Sequence, residues 1–241
     1  LKNKANFVIA TTRSDSTDLY SLASKNKNLK VINLETTNQA SVDGAVAAAT
    51  PFLPNGLDYL VNNAGKNPQP MIEFKELDLD LFSEEMIFNT VAPLRVSRAF
   101  LALVKKSEAK KIIFISSVLA SSQITFMMVD QFNAYTVANA ALNALAHKWG
   151  ASLKREGVST AAIHPGKRIS LSLQISRTLP TGWTQTELGD PLKEWMSKYA
   201  PPRTHLTTDE AGNVVIKISL SKRQVNSGTS MALTSLGKFR L

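Results

Sequence analysis

Short apolar runs alternate with longer stretches of helical spacing along this chain, and this alternation restricts its fold more than any other feature. Residues 112–115 and 160–163 are short runs of the kind found in strands that are buried on both faces. Residues 79–104 and 133–153 have the length and the apolar spacing of helices. Strands that alternate with helices build a parallel sheet covered by helices. The sequence therefore predicts a doubly wound, Rossmann-type α/β fold with a mainly parallel sheet.

The length and composition bound the class of protein. With 241 residues, 44% of them hydrophobic, the chain suits a single domain, 1–241, with a sizeable core. No continuous apolar run of about 18 residues or more stands out, so no membrane span is predicted. Residues 1–4 lack the apolar stretch of a signal peptide. We therefore expect a cytoplasmic protein that does not interact with membranes.

Cysteine and histidine usage excludes several kinds of site. The chain has no cysteine, which rules out a disulfide framework, a thiol nucleophile and a cysteine-based zinc site. His147, His164 and His205 show no metal-ligand spacing, and no nucleophile-elbow sequence accompanies them. His164 precedes Pro165 and is interpreted as a turn residue. No metal is expected.

The net charge of +9 raises the question of a nucleic-acid partner. Nucleic-acid binding normally needs a basic stripe with interleaved aromatic residues. The basic residues of the C-terminal third are instead scattered, as Arg177, Lys193, Lys198, Arg203, Lys217, Lys222 and Arg223. This scatter favours a solvated surface, and no nucleic-acid partner is expected.

Two short motifs carry the clearest chemical information. Asn62-Asn63-Ala64-Gly65 follows the apolar run 57–61, and Asn139 follows Tyr135 by four residues within a predicted helix. Positions four apart share one face of a helix. Tyr135 and Asn139 are therefore predicted to project into the same site.

These motifs resemble those of the short-chain dehydrogenase/reductase (SDR) family. Segment 134–143 resembles the active-site helix of that family, and segment 57–65 is similar to its fourth strand and the loop that follows. Similar segments are also found for the second strand (7–13), the third strand (31–35), the strand that ends in the catalytic serine (112–117) and a later turn (164–166). The run 183–190 resembles the fungal norsolorinic-acid-ketoreductase and C-factor branch.

The chain departs from the family pattern in two places. Asn139 stands where the family has lysine, and the glycine-rich phosphate loop is not found in these residues. The chain opens at the second strand of the family. In a doubly wound sheet the first strand lies in the middle, between the second and the fourth. The resemblance therefore implies the family fold without its first βα unit in these residues.

Residues 167–182 separate Gly166 from Trp183, which are adjacent in the branch that the chain resembles. The stretch is rich in serine and threonine, and we expect a poorly packed excursion on the surface. One interpretation is a translated intron, alongside a missed first exon. The alternative is a genuine loop insertion over the substrate pocket.

The resemblance implies catalytic roles for four residues. Tyr135 would give a proton to the substrate oxygen, and Asn139 would hydrogen-bond the nicotinamide ribose without supplying the charge of a lysine. Ser117 would hydrogen-bond the substrate oxygen. Ser116 is its rival, because neighbouring strand residues point to opposite faces. Asn89 resembles the family residue that holds a water in a proton relay, with helix capping or backbone hydrogen bonding as the alternative role.

The resemblance also implies a site for NADP(H). Arg13 follows the second strand, where a basic residue suits the 2′-phosphate of NADP, and a solvated surface arginine is the alternative. Glu35 would lie near adenine. The remaining implied cofactor residues are Asn62, Ala64 and Gly65 beneath the adenosine ribose, Pro165 and Gly166 in the turn, and Thr186 at the nicotinamide amide.

Three hypotheses about function follow. The first is an NADP-dependent oxidoreductase, impaired in this form, that reduces a carbonyl or oxidises an alcohol on a small organic or secondary-metabolite substrate. The second is a non-catalytic relative that binds a ligand or a partner. The third is an artefact of the gene model. The predicted helices that begin at Leu79 and Asn133 resemble those that form family dimers, so a homodimer or homotetramer is expected.

Overall fold

The structure is a computed structural model. It describes residues 6–122, 125 and 129–165, the short segments Trp183–Thr184, His205–Leu206 and Met231–Ala232, and the single positions Glu210 and Asn213. The predictions for 167–182, Gly166 and Thr186 lie outside the described residues. The prediction of one domain over 1–241 includes such residues and stays a prediction.

Strands and helices alternate along the chain. They are β1 (Val8–Thr12), α1 (Thr17–Lys25), β2 (Leu29–Asn33), α2 (Gln39–Ala49), β3 (Tyr59–Asn62), α3 (Leu79–Met86), α4 (Ala92–Lys106), β4 (Lys111–Ile115), α5 (Asn133–Leu153), β5 (Ser159–His164), β6 (Trp183–Thr184), β7 (His205–Leu206) and β8 (Met231–Ala232). Short 3-10 turns occupy Thr50–Phe52, Phe74–Glu76, Val118–Ala120 and Lys154–Glu156, and a π-helical segment, Ile87–Val91, joins α3 to α4.

Every described strand pair is parallel. β1 pairs with β2, and β3, β4, β5 and β8 form a second sheet in that order, with β6 and β7 as a third pair. Lys111 of β4 lies opposite Tyr59 of β3 and Ser159 of β5. The prediction of a parallel α/β sheet with flanking helices is confirmed.

A gap in hydrogen bonding separates β1 from β3. In the described part of the chain the two strands belong to different sheets. Ile9 of β1 and Leu60 of β3 nevertheless pack against the same apolar cluster. That cluster comes from β2, α2 and α4 and the segment after β2, and it consists of Ile32, Leu34, Val42, Ala45, Ala49, Val96 and Phe100. The two sheets therefore share one layer of helices.

A second apolar cluster joins α4 and α5 to β4 and β5. Its largest buried side chains include Phe114, Ile112, Leu153 and Val104, each at most 1% exposed. Burying a side chain of this size contributes roughly 1.5–3 kcal/mol. The burial of β4 agrees with the prediction for 112–115, and α5 has the bounds predicted for 133–153.

The β1–β2 pair and its helix α1 are more exposed to solvent than the second sheet and its helices. Every residue of α1 is at least partly exposed, with Tyr20 at 43% and Leu22 at 44%. Phe7, just before β1, stacks on Phe52 with ring centroids 5.7 Å apart. Both rings remain partly open to solvent. This part of the molecule therefore depends on its contact with α2 and α4.

The single helix predicted for 79–104 is divided in the structure. Asp78 caps α3 by accepting hydrogen bonds from the backbone N–H groups of Asp80 and Leu81. The π-helical segment then adds a wider turn before α4 begins. The apolar spacing of the sequence does not separate a π-helical turn from an α-helical one, so the prediction merged these elements.

The helical stretch Leu79–Lys106 is long and apolar enough to cross a membrane by length and composition, the one such stretch in the described residues. Its buried side chains Val96, Phe100 and Val104 lie in the two apolar clusters. This is the environment of a core helix.

Candidate active site

The carboxyl ends of the parallel strands bring the predicted site residues to one edge of the fold. Arg13 follows β1, Glu35 lies just beyond β2, and the loop 63–65 follows β3. Ser117 lies just after β4, and Pro165 follows β5. Ligands of open α/β sheets bind at this edge, which makes it the candidate site.

Tyr135 lies in the first turn of α5 and is half-buried. Burial and then the negative charge of Glu85 raise the pKa of its phenol to about 12, while hydrogen bonding with Asn139 and Ser117 opposes that rise. Among the described residues, no cation contributes to the pKa of this phenol. The phenol therefore stays protonated at neutral pH.

Asn139 lies one helical turn after Tyr135 and is only 3% exposed. Its Nδ2 donates a hydrogen bond of 3.0 Å to the backbone carbonyl of Tyr135. The two residues lie one turn apart on α5, and hydrogen bonding with Asn139 acts on the pKa of the phenol; their shared role in a site stays a prediction. Asn139 supplies hydrogen-bonding groups and no charge.

Ser117, rather than Ser116, is the serine that interacts with the phenol of Tyr135. Its Oγ accepts a hydrogen bond of 3.2 Å from the backbone N–H of Leu119, so its hydroxyl hydrogen is left for another acceptor. The Oγ of Ser116 is buried and has no hydrogen-bond partner within the part of the chain that the structure describes. The turn that Ser117 caps packs against α5, and Ser117 hydrogen-bonds with Tyr135, whereas no such interaction is found for Ser116 among the described residues. The role of Ser117 as the anchor of a substrate oxygen stays a prediction.

Asn89 lies in the π-helical segment and is 4% exposed. Its Oδ1 accepts a hydrogen bond of 2.9 Å from the backbone N–H of Lys66, and its Nδ2 donates one of 2.7 Å to the Lys66 carbonyl. This side chain thus carries out the backbone hydrogen bonding that was the alternative role. π-Helical turns are frequent at functional sites, and the Thr90 hydroxyl ties this one to the Ala138 carbonyl of α5 at 2.9 Å.

Glu85 is a site residue that the sequence reasoning missed. It lies on the last turn of α3 and is 0% exposed, and Asn89 Nδ2 lies 3.3 Å from its Oε1. Burial raises the pKa of its carboxyl to about 7, although the charge of Lys66 opposes the shift. The one available signal was an acidic residue four positions before Asn89, on the same face of the helix.

Asn62, at the end of β3, is buried and hydrogen-bonded, whereas the loop residues that follow it are exposed to solvent. Asn62 is buried, and its Nδ2 donates to Ser97 Oγ at 2.9 Å and more weakly to the Ile113 carbonyl at 3.4 Å. Ala64 and Gly65 are exposed at the edge of the sheet. Asn62 therefore steadies the sheet, while the next residues leave backbone open to a ligand.

Arg13 and Glu35 form an ion pair at the open edge of β1 and β2. Arg13 Nε lies 3.8 Å from Glu35 Oε2, with side-chain exposures of 70% and 31%. Burial raises the pKa of Glu35, but hydrogen bonds from Thr37 and the positive charges of Arg13 and Lys66 outweigh it and hold the pKa below its usual value. The carboxylate thus stays ionised beside a guanidinium that is largely exposed to solvent.

The end of β5 is described only as far as Pro165. The preceding His164 is the last residue of β5 and pairs with Ala232, so its interpretation as a turn residue is wrong. Burial lowers the pKa of its ring to about 4, so the ring is neutral at physiological pH. In the described residues, no group of three or more histidine, aspartate or glutamate side chains comes together as a metal site would require.

Comparison with known proteins gives this arrangement a family. The short chain dehydrogenase family matches the chain over residues 1–170. The chain belongs to this family. Fungal members are among its relatives: the short-chain dehydrogenase/reductase atnB of Arthrinium sp. is 30% identical over 173 residues, and the short-chain dehydrogenase RED3 of Pyricularia oryzae is 30% identical over 196 residues. The finer prediction of the norsolorinic-acid-ketoreductase and C-factor branch stays a prediction.

Solved structures of short-chain dehydrogenases share the fold. The NADPH-bound carbonyl reductase from chicken fatty liver has a TM-score of 0.76 at 29% identity, covering 94% of this chain and 84% of its own. A putative short-chain dehydrogenase/reductase from Burkholderia multivorans with bound NADP has a TM-score of 0.68 at 26% identity, covering 92% of this chain and 84% of its own. By sequence the matched regions take in 67% of this chain and 65% of atnB, and 78% of this chain and 74% of RED3.

Proposed function

We propose that this short-chain dehydrogenase is an NADP(H)-dependent reductase that converts a carbonyl group of a small organic or secondary-metabolite substrate to an alcohol. The observation that carries the proposal is the packing of the Ser117-capped turn against α5, which brings Ser117 to the helix that carries Tyr135 and Asn139, with both side chains hydrogen-bonding with the phenol. The similarity to the NADPH-bound carbonyl reductase from chicken fatty liver supports both the cofactor and the reaction.

The described residues fit a dinucleotide with a 2′-phosphate. Arg13 offers an exposed guanidinium next to Glu35, and charge-assisted hydrogen bonds to phosphate are among the stronger ones. Ala64 and Gly65, in the loop after β3, are exposed to solvent and so are open to a ligand. When bound, the cofactor supplies hydride to the carbonyl carbon of the substrate.

The side chains of the site supply the proton and hold the substrate oxygen. Tyr135 donates its phenolic proton to that oxygen as the carbon is reduced, and the free hydroxyl hydrogen of Ser117 donates a hydrogen bond to the same oxygen. A pKa of about 12 keeps Tyr135 in the acid form that reduction needs. The reverse oxidation needs the phenolate, so the site favours reduction over oxidation.

A second candidate function is a scaffold that binds the cofactor without turnover. It is favoured by the absence, among the described residues, of a cation acting on Tyr135, since general acid–base catalysis works best when the catalytic pKa lies near the operating pH. The two candidates differ in one measurable property, which is the consumption of bound NADPH when a ketone is added.

The test is NADPH consumption with a panel of ketones by the unmodified protein and by Tyr135→Phe. We expect slow but measurable reduction, and a loss of about 10²- to 10⁴-fold in Tyr135→Phe. Tyr20→Phe is the matched control, because Tyr20 lies exposed on α1 and its loss should leave the rate unchanged. Equal rates in Tyr135→Phe and the unmodified protein would contradict the mechanism. NADPH binding without turnover on every ketone would favour the scaffold.

A further inference from the structure

A buried carboxyl group, Glu85, lies on α3, which packs against the helix of the proposed proton donor, and it has no part in the mechanism above. It is 0% exposed, and its Oε2 has no hydrogen-bond partner among the described residues. Burying a carboxyl without satisfying both oxygens is unfavourable. An apolar side chain would fill this position in the core better than a carboxyl does. The presence of Glu85 here therefore indicates a role other than packing.

The surroundings of Glu85 connect it to Tyr135. α3 and the π-helical segment pack against α5, and the Thr90 hydroxyl fixes that contact by its hydrogen bond to the Ala138 carbonyl. Among the described residues, the charge of Lys66, from the loop after β3, acts on the pKa of Glu85, and the charge of Glu85 acts on the pKa of Tyr135 in α5. Lys66 Nζ pairs with Glu84 Oε2 at 3.0 Å rather than with Glu85. Glu85 is thus left without an ion-pair partner in the described residues.

We propose that Glu85 is the proton reservoir of Tyr135. When Tyr135 has given its proton to the substrate oxygen, the Glu85 carboxylic acid returns a proton to the phenolate, and Glu85 then recovers a proton from solvent. Each catalytic cycle therefore moves one solvent proton to the product hydroxyl, and neither side chain changes in net charge. Glu85 acts through Tyr135 and does not touch the substrate. This inference rests on the proposed reductase function.

The direction of transfer agrees with the acidities of the two groups. The carboxyl has a pKa of about 7 and the phenol one of about 12, so a proton on Glu85 moves downhill to a phenolate. A carboxyl that is half protonated near neutral pH can both give and regain a proton there. Because Asn139 carries no charge to stabilise the phenolate, rapid reprotonation is the remaining way to restore the acid.

The first test is the pH dependence of kcat for ketone reduction in the unmodified protein and in Glu85→Gln. The unmodified rate should fall as pH rises through about 7, where the Glu85 carboxyl loses its proton. Glu85→Gln should lower kcat by roughly tenfold or more below that pH, abolish the fall and leave the KM for NADPH unchanged.

Glu84→Gln is the matched control, since Glu84 is its exposed neighbour and should keep the wild-type profile. Glu85→Asp should retain a titrating limb. A Glu85→Gln profile identical to wild type would overturn the proposal.

The second test needs no turnover. The ultraviolet absorbance of ionising tyrosine, with Tyr135→Phe to assign the signal, reports the pKa of Tyr135. Because the charge of Glu85 raises that pKa, Glu85→Gln should lower it and Glu84→Gln should not. If Glu85→Gln does not fold, Glu85→Met serves in its place. An unchanged Tyr135 pKa would overturn the inference even if ketones are reduced. A lowered pKa in a protein that reduces no ketone would support the coupling and overturn the reductase function.

Discussion

Replacing Asn139 by lysine is the change that should most increase the acidity of Tyr135. An opposite charge within about 4–6 Å lowers the pKa of an acid by roughly 1–3 units. From a starting value of about 12, the phenol of Asn139→Lys should titrate at roughly 9–11. Each unit corresponds to about 1.4 kcal/mol in favour of the phenolate. We expect kcat for ketone reduction to rise by about tenfold to a hundredfold.

The new ammonium also has an energetic consequence for folding. Position 139 is 3% exposed, and an effective penalty of several kcal/mol attends the burial of a charge, against a total stability of only about 5–15 kcal/mol. The Glu85 carboxylate lies on the neighbouring helix and should offset part of this penalty. Thermal unfolding should therefore show a lower Tm for Asn139→Lys.

Three measurements decide the prediction: NADPH consumption, the tyrosine titration and the Tm. Asn139→Gln is the uncharged control for size, and Asn143→Lys places the same charge one turn further along α5. Neither should raise kcat. A folded Asn139→Lys protein whose Tyr135 still titrates at about 12, or whose kcat is unchanged, would refute the reasoning.

Three further outcomes are expected. Arg13→Ala should weaken NADPH binding by about tenfold to a hundredfold with little effect on NADH, because a charge-assisted hydrogen bond contributes roughly 1.5–3 kcal/mol; equal loss for both cofactors in a fluorescence titration would contradict the assignment. Asn62→Ala should lower the free energy of unfolding by about 1–3 kcal/mol in denaturant titrations, whereas Asn63→Ala, at an exposed position, should have little effect. The pKa of Glu85 is raised from 4.5 to about 7 because the folded protein favours the protonated carboxyl. The contribution of this group to stability is therefore full below pH 4.5 and is lost as the pH rises through about 7. The difference in unfolding free energy between wild type and Glu85→Gln should therefore change by about 3 kcal/mol over that window, and a constant difference would show that Glu85 titrates normally.

Much of the scaffold could be predicted because its signals are local. The apolar spacing of 133–153 predicts α5 with its observed bounds, and the apolar run 112–115 falls in a strand with a buried centre. The pairing of Tyr135 with Asn139 follows from helix geometry alone. These predictions succeed because each depends on residues that are close in sequence.

The parts that the sequence did not predict depend on contacts between distant residues. The partner of Asn62 is Ser97, which lies 35 positions away, and Asn89 binds the backbone of Lys66 across 23 positions. The π-helical turn and the burial of Glu85 arise where α3 meets α5. Such contacts have no periodic signal along the chain, because tertiary packing creates them.

The division between β1 and β3 makes the two sheets separate units for local opening. No backbone hydrogen bond joins these strands in the described residues, so amide protons of β1 and β2 are expected to exchange with solvent before those of β4. Arg13 belongs to one unit and Tyr135 to the other. A dinucleotide that binds both units would hold them together. Its binding free energy would add to the free energy needed to open the β1–β2 unit. The protection of the β1 and β2 amides against exchange would then increase with cofactor concentration. Cofactor binding would in this way stabilise the fold as well as supply the reactant.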